Sequence, residues 1–195
     1  MNRKLACMTT VIAVALALPA WAANDKKEAK WEEQRQKTDE ICDEALKALF
    51  EESEKSKELY DKAVGYAVFD NIKISLFISG GGGKGVAVDK ATAQRTYMNM
   101  GTGGVNLGFG GQKFQVVFLF EDSRTLTDFI ENGWKAEAGA NAAAGTAGAN
   151  VQTGFTNGMA TYQMTEAGLM LQADISGTKY WKDKNLNQPP QKKDD

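Results

Sequence analysis

The sequence predicts an α+β domain: N-terminal amphipathic helices, then a strongly curved, glycine-rich antiparallel sheet or partly closed barrel with one short inserted helix. Three observations predict it. Between Asn24 and Lys62 there are 9 basic and 13 acidic side chains, and residues 24–64 contain neither Pro nor Gly. From Gly65 onward, β-branched and aromatic segments alternate with glycine clusters. The first 22 residues share neither texture.

Those 22 residues have the three zones of a secretory signal. Arg3 and Lys4 give a positive start, Leu5–Leu18 is apolar apart from Thr9 and Thr10, and Pro19 ends the run. Ala20-Trp21-Ala22 places small residues at positions −3 and −1 of a cleavage site after Ala22. A spanning helix needs roughly 20 apolar residues, more than this run supplies. Cys7 precedes the apolar core instead of following it, so a lipoprotein signal does not fit. The expected destination is the bacterial periplasm. Processing removes two of 23 basic residues and none of the 25 acidic ones, leaving 21 − 25 = −4. An acidic domain is unlike a nucleic-acid binder, whose footprint is basic. Cys42 is then the lone cysteine, so no internal disulfide can form and the domain must rest on its core.

The single domain expected over 23–182 begins helically (25–64) and continues β-rich (65–182). Trp31, Thr38, Ile41, Cys42, Ala45, Leu46, Leu49 and Phe50 recur on one helical face. A break near Glu52–Ser56 precedes a shorter helix through Leu59, Tyr60, Ala63 and Val64. Gly65–Phe69, Ile72–Ser79, Gly85–Asp89, Arg95–Met100, Val105–Phe109 and Phe114–Phe120 read as consecutive antiparallel strands, with the glycine run between the second and third as a bulged hairpin turn. Ser123 reads as an N-cap and Gly133 as the stop of one short helix. The Ala/Gly run 136–150 suits either a linker or strands in close backbone contact. Met159–Thr165, a turn at Glu166-Ala167-Gly168, and Leu169–Ile175 form a last hairpin. Residues 183–195 read as a disordered tail.

The chemistry that is missing narrows function. There is no histidine, which removes Ser–His and Cys–His nucleophiles and His-containing metal sites. One mature cysteine builds no thiolate metal centre, so neither catalysis nor a metal or cofactor is expected. Ser79-Gly-Gly-Gly-Gly-Lys-Gly85 is no P-loop, because Gly85 follows Lys84. Gly80, Gly82 and Gly85 satisfy a bare G-x-G-x-x-G, but the strand-like Val86–Asp89 follows where a dinucleotide site needs a helix. Backbone N–H groups at Gly82 and Gly83, beside Lys84, remain suited to an anionic head group. Glycines 101–111 either let the sheet curve or leave a groove for an acyl chain.

Gly65-Tyr-Ala-Val-Phe-Asp-Asn-Ile72, the glycines at 80–85, Gly108–Phe120, the small-residue run ending near Gly148 and the Gly168–Gly177 strand occur in an order that resembles the SYLF family. The resemblance covers about residues 40–182. It implies a non-catalytic lipid-binding domain, whose yeast members are also described as actin regulators. Relatives are linked to phosphoinositides through a basic segment near the domain's start; the corresponding segment here is acidic. Actin and phosphoinositides are therefore not the expected partners of an exported protein. Asp70 stands where the family often has proline, and no role follows from that. The expected function is recognition of phospholipid or a membrane surface through Lys73, Lys84, Gly82, Gly83, Trp134 and Trp181. The alternative is a protein-interaction or envelope-structural module that binds no lipid.

Overall fold

A computed structural model describes residues 20–135, 154–165, 168–169 and 177–188; side chains of 20–25, 72–80 and 104–112 are outside that description. The expected signal therefore lies outside the described residues up to its final Ala20-Trp21-Ala22, and the Ala/Gly run 136–150 lies wholly outside them. So do residues 170–175 of the last expected strand.

Helix α1 spans Ala20–Glu52, and α2 spans Glu54–Lys62. The break falls at Ser53, whose side chain caps α2 by accepting from the Ser56 N–H at 3.2 Å. Ser56 is itself buried, donating its hydroxyl to the Ser53 carbonyl at 2.6 Å. The expected helical face is the buried one: Thr38, Cys42, Ala45, Leu46 and Leu49 lie against the sheet.

The six expected strands between Gly65 and Phe120 are in fact two. Strand β1 runs unbroken over Gly65–Asp89 and pairs antiparallel with β2, Arg95–Phe120. Gly80–Gly83 are not a turn; they sit in the ladder opposite Gly103–Met100. The turn comes later, at 90–94, where Asp89 Oδ1 accepts from the Thr92 N–H at 2.9 Å. The ladder is irregular once, between Leu76 and Ile78. Helix α3 follows over Ser123–Asn132, capped by Asp122 in place of the expected Ser123. The Asp122 carboxylate takes both the Thr125 N–H (2.9 Å) and hydroxyl (2.8 Å). Gly133 ends α3 at φ +70, and a Cβ there would collide with the Tyr180 carbonyl.

The short strand β3 (Trp134–Lys135), β4 (Met159–Thr165), β5 (Gly168–Leu169) and β6 (Thr178–Lys182) complete the described sheet. Its path runs β3-β6-β2-β4-β5, with β1 pairing β2 off that path. β2 can serve so many neighbours because β6 pairs with its beginning, Met98–Thr102, and β4 with its end, Phe114–Phe120.

The long β1–β2 ribbon folds back on itself. A Cβ at Gly83 would overlap the Asp70 carbonyl oxygen, and one at Gly85 would overlap the Val68 carbonyl and the Phe69 ring. The end of β1 thus lies directly on its own beginning, a close approach that only glycine permits. This seam curls the sheet strongly, as expected for the α+β class.

Both faces are covered. Tyr66, Val68, Val86, Val88, Val117 and Leu119 meet α1 and α2 through Cys42, Leu46, Leu49 and Leu59. The alternate residues Phe69, Met98, Met100, Val116 and Phe118 meet Leu126 and Phe129 of α3 and Tyr180 of β6. Within the inner cluster the Phe118 ring centroid lies 5.1 Å from Tyr180, 5.2 Å from Phe129 and 5.6 Å from Trp134.

The expected tail is ordered through Gln188. Asp183 and Leu186 are buried. Asn187 imitates a strand residue, accepting from the Tyr97 N–H at 2.8 Å and donating to the Tyr97 carbonyl at 2.7 Å. Residues 189–195 lie outside the described residues.

Candidate functional site: a glycine shelf and the cleft beside it

Residues directly opposite in an antiparallel ladder project to the same face. On the outward face, Lys84 of β1 stands opposite Asn99 of β2, which stands opposite Trp181 of β6. The neighbouring row reads Gly82, Gly101, Lys179, Lys135 across four strands. Two side chains are missing from the second row, and the Trp181 ring fills part of the space. Its atoms lie 3.1 and 3.3 Å from where a Gly101 Cβ would be. The result is a shallow shelf floored by glycine.

The shelf brings together Gly82, Lys84 and Trp181. Trp181 is the one large apolar side chain exposed among the described residues, at 40%. Lys135 and Lys179 are both exposed, and they face each other as a like-charged cross-strand pair, an arrangement that costs stability. Neither has an acidic partner among the described residues, whereas Lys182 pairs with Glu131 at 2.7 Å. Lys84 is held in place: its ammonium donates to Asp183 at 2.8 Å and to Asn99 at 3.1 Å. Burial pushes the Asp183 carboxyl upward, but Lys84 and the backbone N–H groups of Leu186 and Asn185 outweigh it and hold it below the usual carboxylate range.

The other sequence candidates go elsewhere. Gly83 projects to the seam, against Asp70. Trp134 is packed into the inner aromatic cluster. Lys73 stands opposite Gln112 in the ladder, and its side chain is outside the described residues.

Next to Lys84, between α1 and the seam, lies a cleft of 240 Å³. Its floor is apolar, with Cys42 and Val68 buried and Ile41 beside them. Lys37, Gln34 and Thr38 of α1 face Asp70 and Lys84 of β1 across it. Burial holds the Asp70 carboxyl above its ordinary value, against the pull of Lys113 and Lys37. Burial and the nearby Asp43 push the Cys42 thiol up to about 12, which removes it as a nucleophile. At 240 Å³ the cleft is below the roughly 300–1,000 Å³ of ordinary ligand pockets, so a whole acyl chain does not fit it.

A second, more open cleft of 370 Å³ lies where Arg35, Arg95, Tyr97 and Lys182 approach the C-terminal turn. Its cations are already engaged. Arg35 bonds Glu28 (2.7 Å) and Glu32 (2.9 Å). Arg95 forms a close ion pair with Asp39 Oδ1 at 2.7 Å. No group of acidic, Cys or His side chains suited to a metal occurs among the described residues. No helix among them is long and apolar enough to cross a membrane.

Residues 101–189, which contain β2 from Gly101 onward, α3 and the shelf strand β6, match the Ysc84 family model, described as Las17-binding protein actin regulator. Over 148 residues the chain is 45% identical to Beta cell expansion factor A of Aeromonas veronii. The chain carries a domain of the SYLF family. The alignment takes in 76% of this chain and 57% of that relative, so the chain spans a little over half of the relative's length. The SYLF resemblance seen in the ordered glycine segments is thereby borne out, and the matched region includes Trp181 and Lys179. Lys135, Lys37 and Asp70 were missed as site residues. Strand register would have found the first. The other two are brought together only by the packing of α1 on the seam.

Proposed function

We propose that this SYLF domain binds phospholipid at a membrane surface outside the cytoplasm, without catalysis. One observation carries the reading: an exposed tryptophan on a glycine shelf, between Lys84 and the opposed Lys135 and Lys179. Tryptophan rings favour the head-group level of a bilayer, and each lysine near an anionic surface adds about 1 kcal/mol. An unpaired like-charged pair beside an exposed ring has no use in folding. It does suit a negatively charged plane. SYLF membership, associated with lipid binding, supports the same reading.

The acidic α1 argues that contact is made by the sheet and not by a basic helix. Co-flotation with vesicles of anionic and zwitterionic phospholipid tests this. The K135E/K179E double variant should lose about thirtyfold or more in affinity for anionic vesicles, since two surface charges reverse. Unchanged binding would remove the shelf from consideration.

A protein-interaction role is the second reading, favoured by the family description as Las17-binding. Native mass spectrometry of the purified protein separates the two: a retained phospholipid supports the first, one stoichiometric protein partner the second. Export is part of the proposal. N-terminal sequencing of the protein from the periplasmic fraction should begin at Ala23, and an intact Met1 in the cytosolic fraction would contradict it.

A further inference from the structure

The cleft between α1 and the seam holds charges of both signs, and of these only Lys84 is in a direct ion pair among the described residues. Asp70 is half-buried, and its carboxylate, though attracted by Lys113 and Lys37, has no hydrogen bond or direct ion pair among the described residues. Its partial burial disfavours the charged carboxylate, which a ligand cation in the cleft would stabilise. Lys37, on the facing turn of α1, has no ion-pair partner among the described residues either. Lys84 lines the same cleft with its side chain about two-fifths exposed (41%) and its ammonium already oriented by Asp183 and Asn99. At 240 Å³ the space takes a group of head-group size and no more.

A ligand that satisfies this set carries an ammonium for Asp70 and an anion with several acceptor oxygens for Lys37 and Lys84. Its short spacer would lie over Cys42 and Val68. An inorganic anion would leave Asp70 unpaired, and a simple amine would leave both lysines unpaired. We propose that the cleft between α1 and the β1 seam is a recognition site for a primary aminoalkyl phosphate, with Asp70 selecting the ammonium and Lys37 and Lys84 taking the phosphate. The group can arrive as the head group of a phospholipid or as the free phosphate ester. In its lipid form the inference rests on the membrane reading above, and it adds the head group that is preferred. The shelf and the cleft share Lys84, so a head group seated in the cleft belongs to a lipid whose neighbours meet Trp181.

The test titrates the purified protein with O-phosphoethanolamine, phosphocholine, ethanolamine and inorganic phosphate, by heteronuclear NMR and calorimetry. In parallel, flotation compares anionic vesicles of phosphatidylcholine and phosphatidylglycerol with and without phosphatidylethanolamine. O-phosphoethanolamine should bind most tightly and shift the signals of Ile41, Cys42 and Val68. Phosphocholine, whose methylated ammonium cannot donate to Asp70, should bind about tenfold more weakly, the worth of one charge-assisted hydrogen bond. Asp70→Asn should abolish that difference and leave the response to inorganic phosphate in place. Lys37→Gln, on the exposed side of α1, should weaken both phosphate esters together while the fold is kept.

If inorganic phosphate binds wild type as tightly as O-phosphoethanolamine, or if Asp70→Asn retains the discrimination, the proposal is overturned. Vesicle binding indifferent to the ethanolamine head group overturns it too and leaves the membrane reading intact. Binding of the soluble ester without vesicle binding supports the cleft with the free ester as its source, and then it is the membrane reading that fails. No binding of either overturns both.

Discussion

Gly82 and Gly83 are neighbours in the sequence and do opposite things. Gly83, like Gly85, projects to the seam, where a side chain would run into the backbone of Asp70 or Val68. Gly82 projects to the shelf, where the nearest atom to a Cβ would be the Met100 carbonyl at 3.6 Å, an ordinary contact; at Gly103 nothing lies within 4 Å. One set of glycines is required by folding. The other is tolerated by folding and leaves a bare surface beside Trp181 and Lys84. A glycine-rich strand is therefore two surfaces, and only the second calls for a functional explanation.

The largest effects should come from breaking this contrast. Gly85→Ala is expected to cost about 3 kcal/mol or more, because backbone and the Phe69 ring must both move. Gly82→Ala and Gly103→Ala should stay within about 0.5 kcal/mol of wild type in urea denaturation. Equal losses at both sets would show that the shelf glycines are structural as well.

A smaller effect sharpens the junction of the two regions. Lys84→Met removes the ammonium from Asp183, whose side chain is 7% exposed while that of Lys84 is 41% exposed. The partly exposed lysine reduces the loss to about 1–3 kcal/mol, below that of breaking a fully buried pair. The pH dependence follows from the depressed Asp183 carboxyl. Its contribution is fully present above the ordinary unfolded value, about 3.9, and fades as pH falls through the lower folded value. Below about pH 4 the stability gap between wild type and Lys84→Met should therefore narrow. A gap that stays constant down to pH 2 would mean that the ion pair is not what Lys84 supplies.

Much of the fold was legible where the signal is local. The burial of Cys42, Leu46 and Leu49 follows from a 3.6-residue repeat within one helix. The stop at Gly133 follows from one residue's backbone freedom. What escaped depended on distant partners. Glycine reads as punctuation between strands, yet here β1 continues through it because β2 supplies a partner for every glycine from 80 to 83. Residues 183–188 look like a tail, and they are ordered by Tyr97, 90 positions away from Asn187. The site was legible in kind and not in arrangement. Lys84, Gly82 and Trp181 were recognisable as suited to an anionic surface, whereas their alignment in adjoining rows is a property of register. Trp134, the same residue type, faces inward beside Tyr180 and belongs to the core.

The central claim is that the Trp181 shelf meets the bilayer. The most direct measurement is quenching of tryptophan fluorescence by anionic vesicles containing lipids brominated on the acyl chains near the head group, for wild type and Trp181→Phe. Wild-type emission should be strongly quenched in the vesicle-bound fraction, and most of that quenching should vanish in Trp181→Phe while its thermal unfolding midpoint is unchanged. Equal quenching in both proteins would place the contact at another tryptophan and contradict the account.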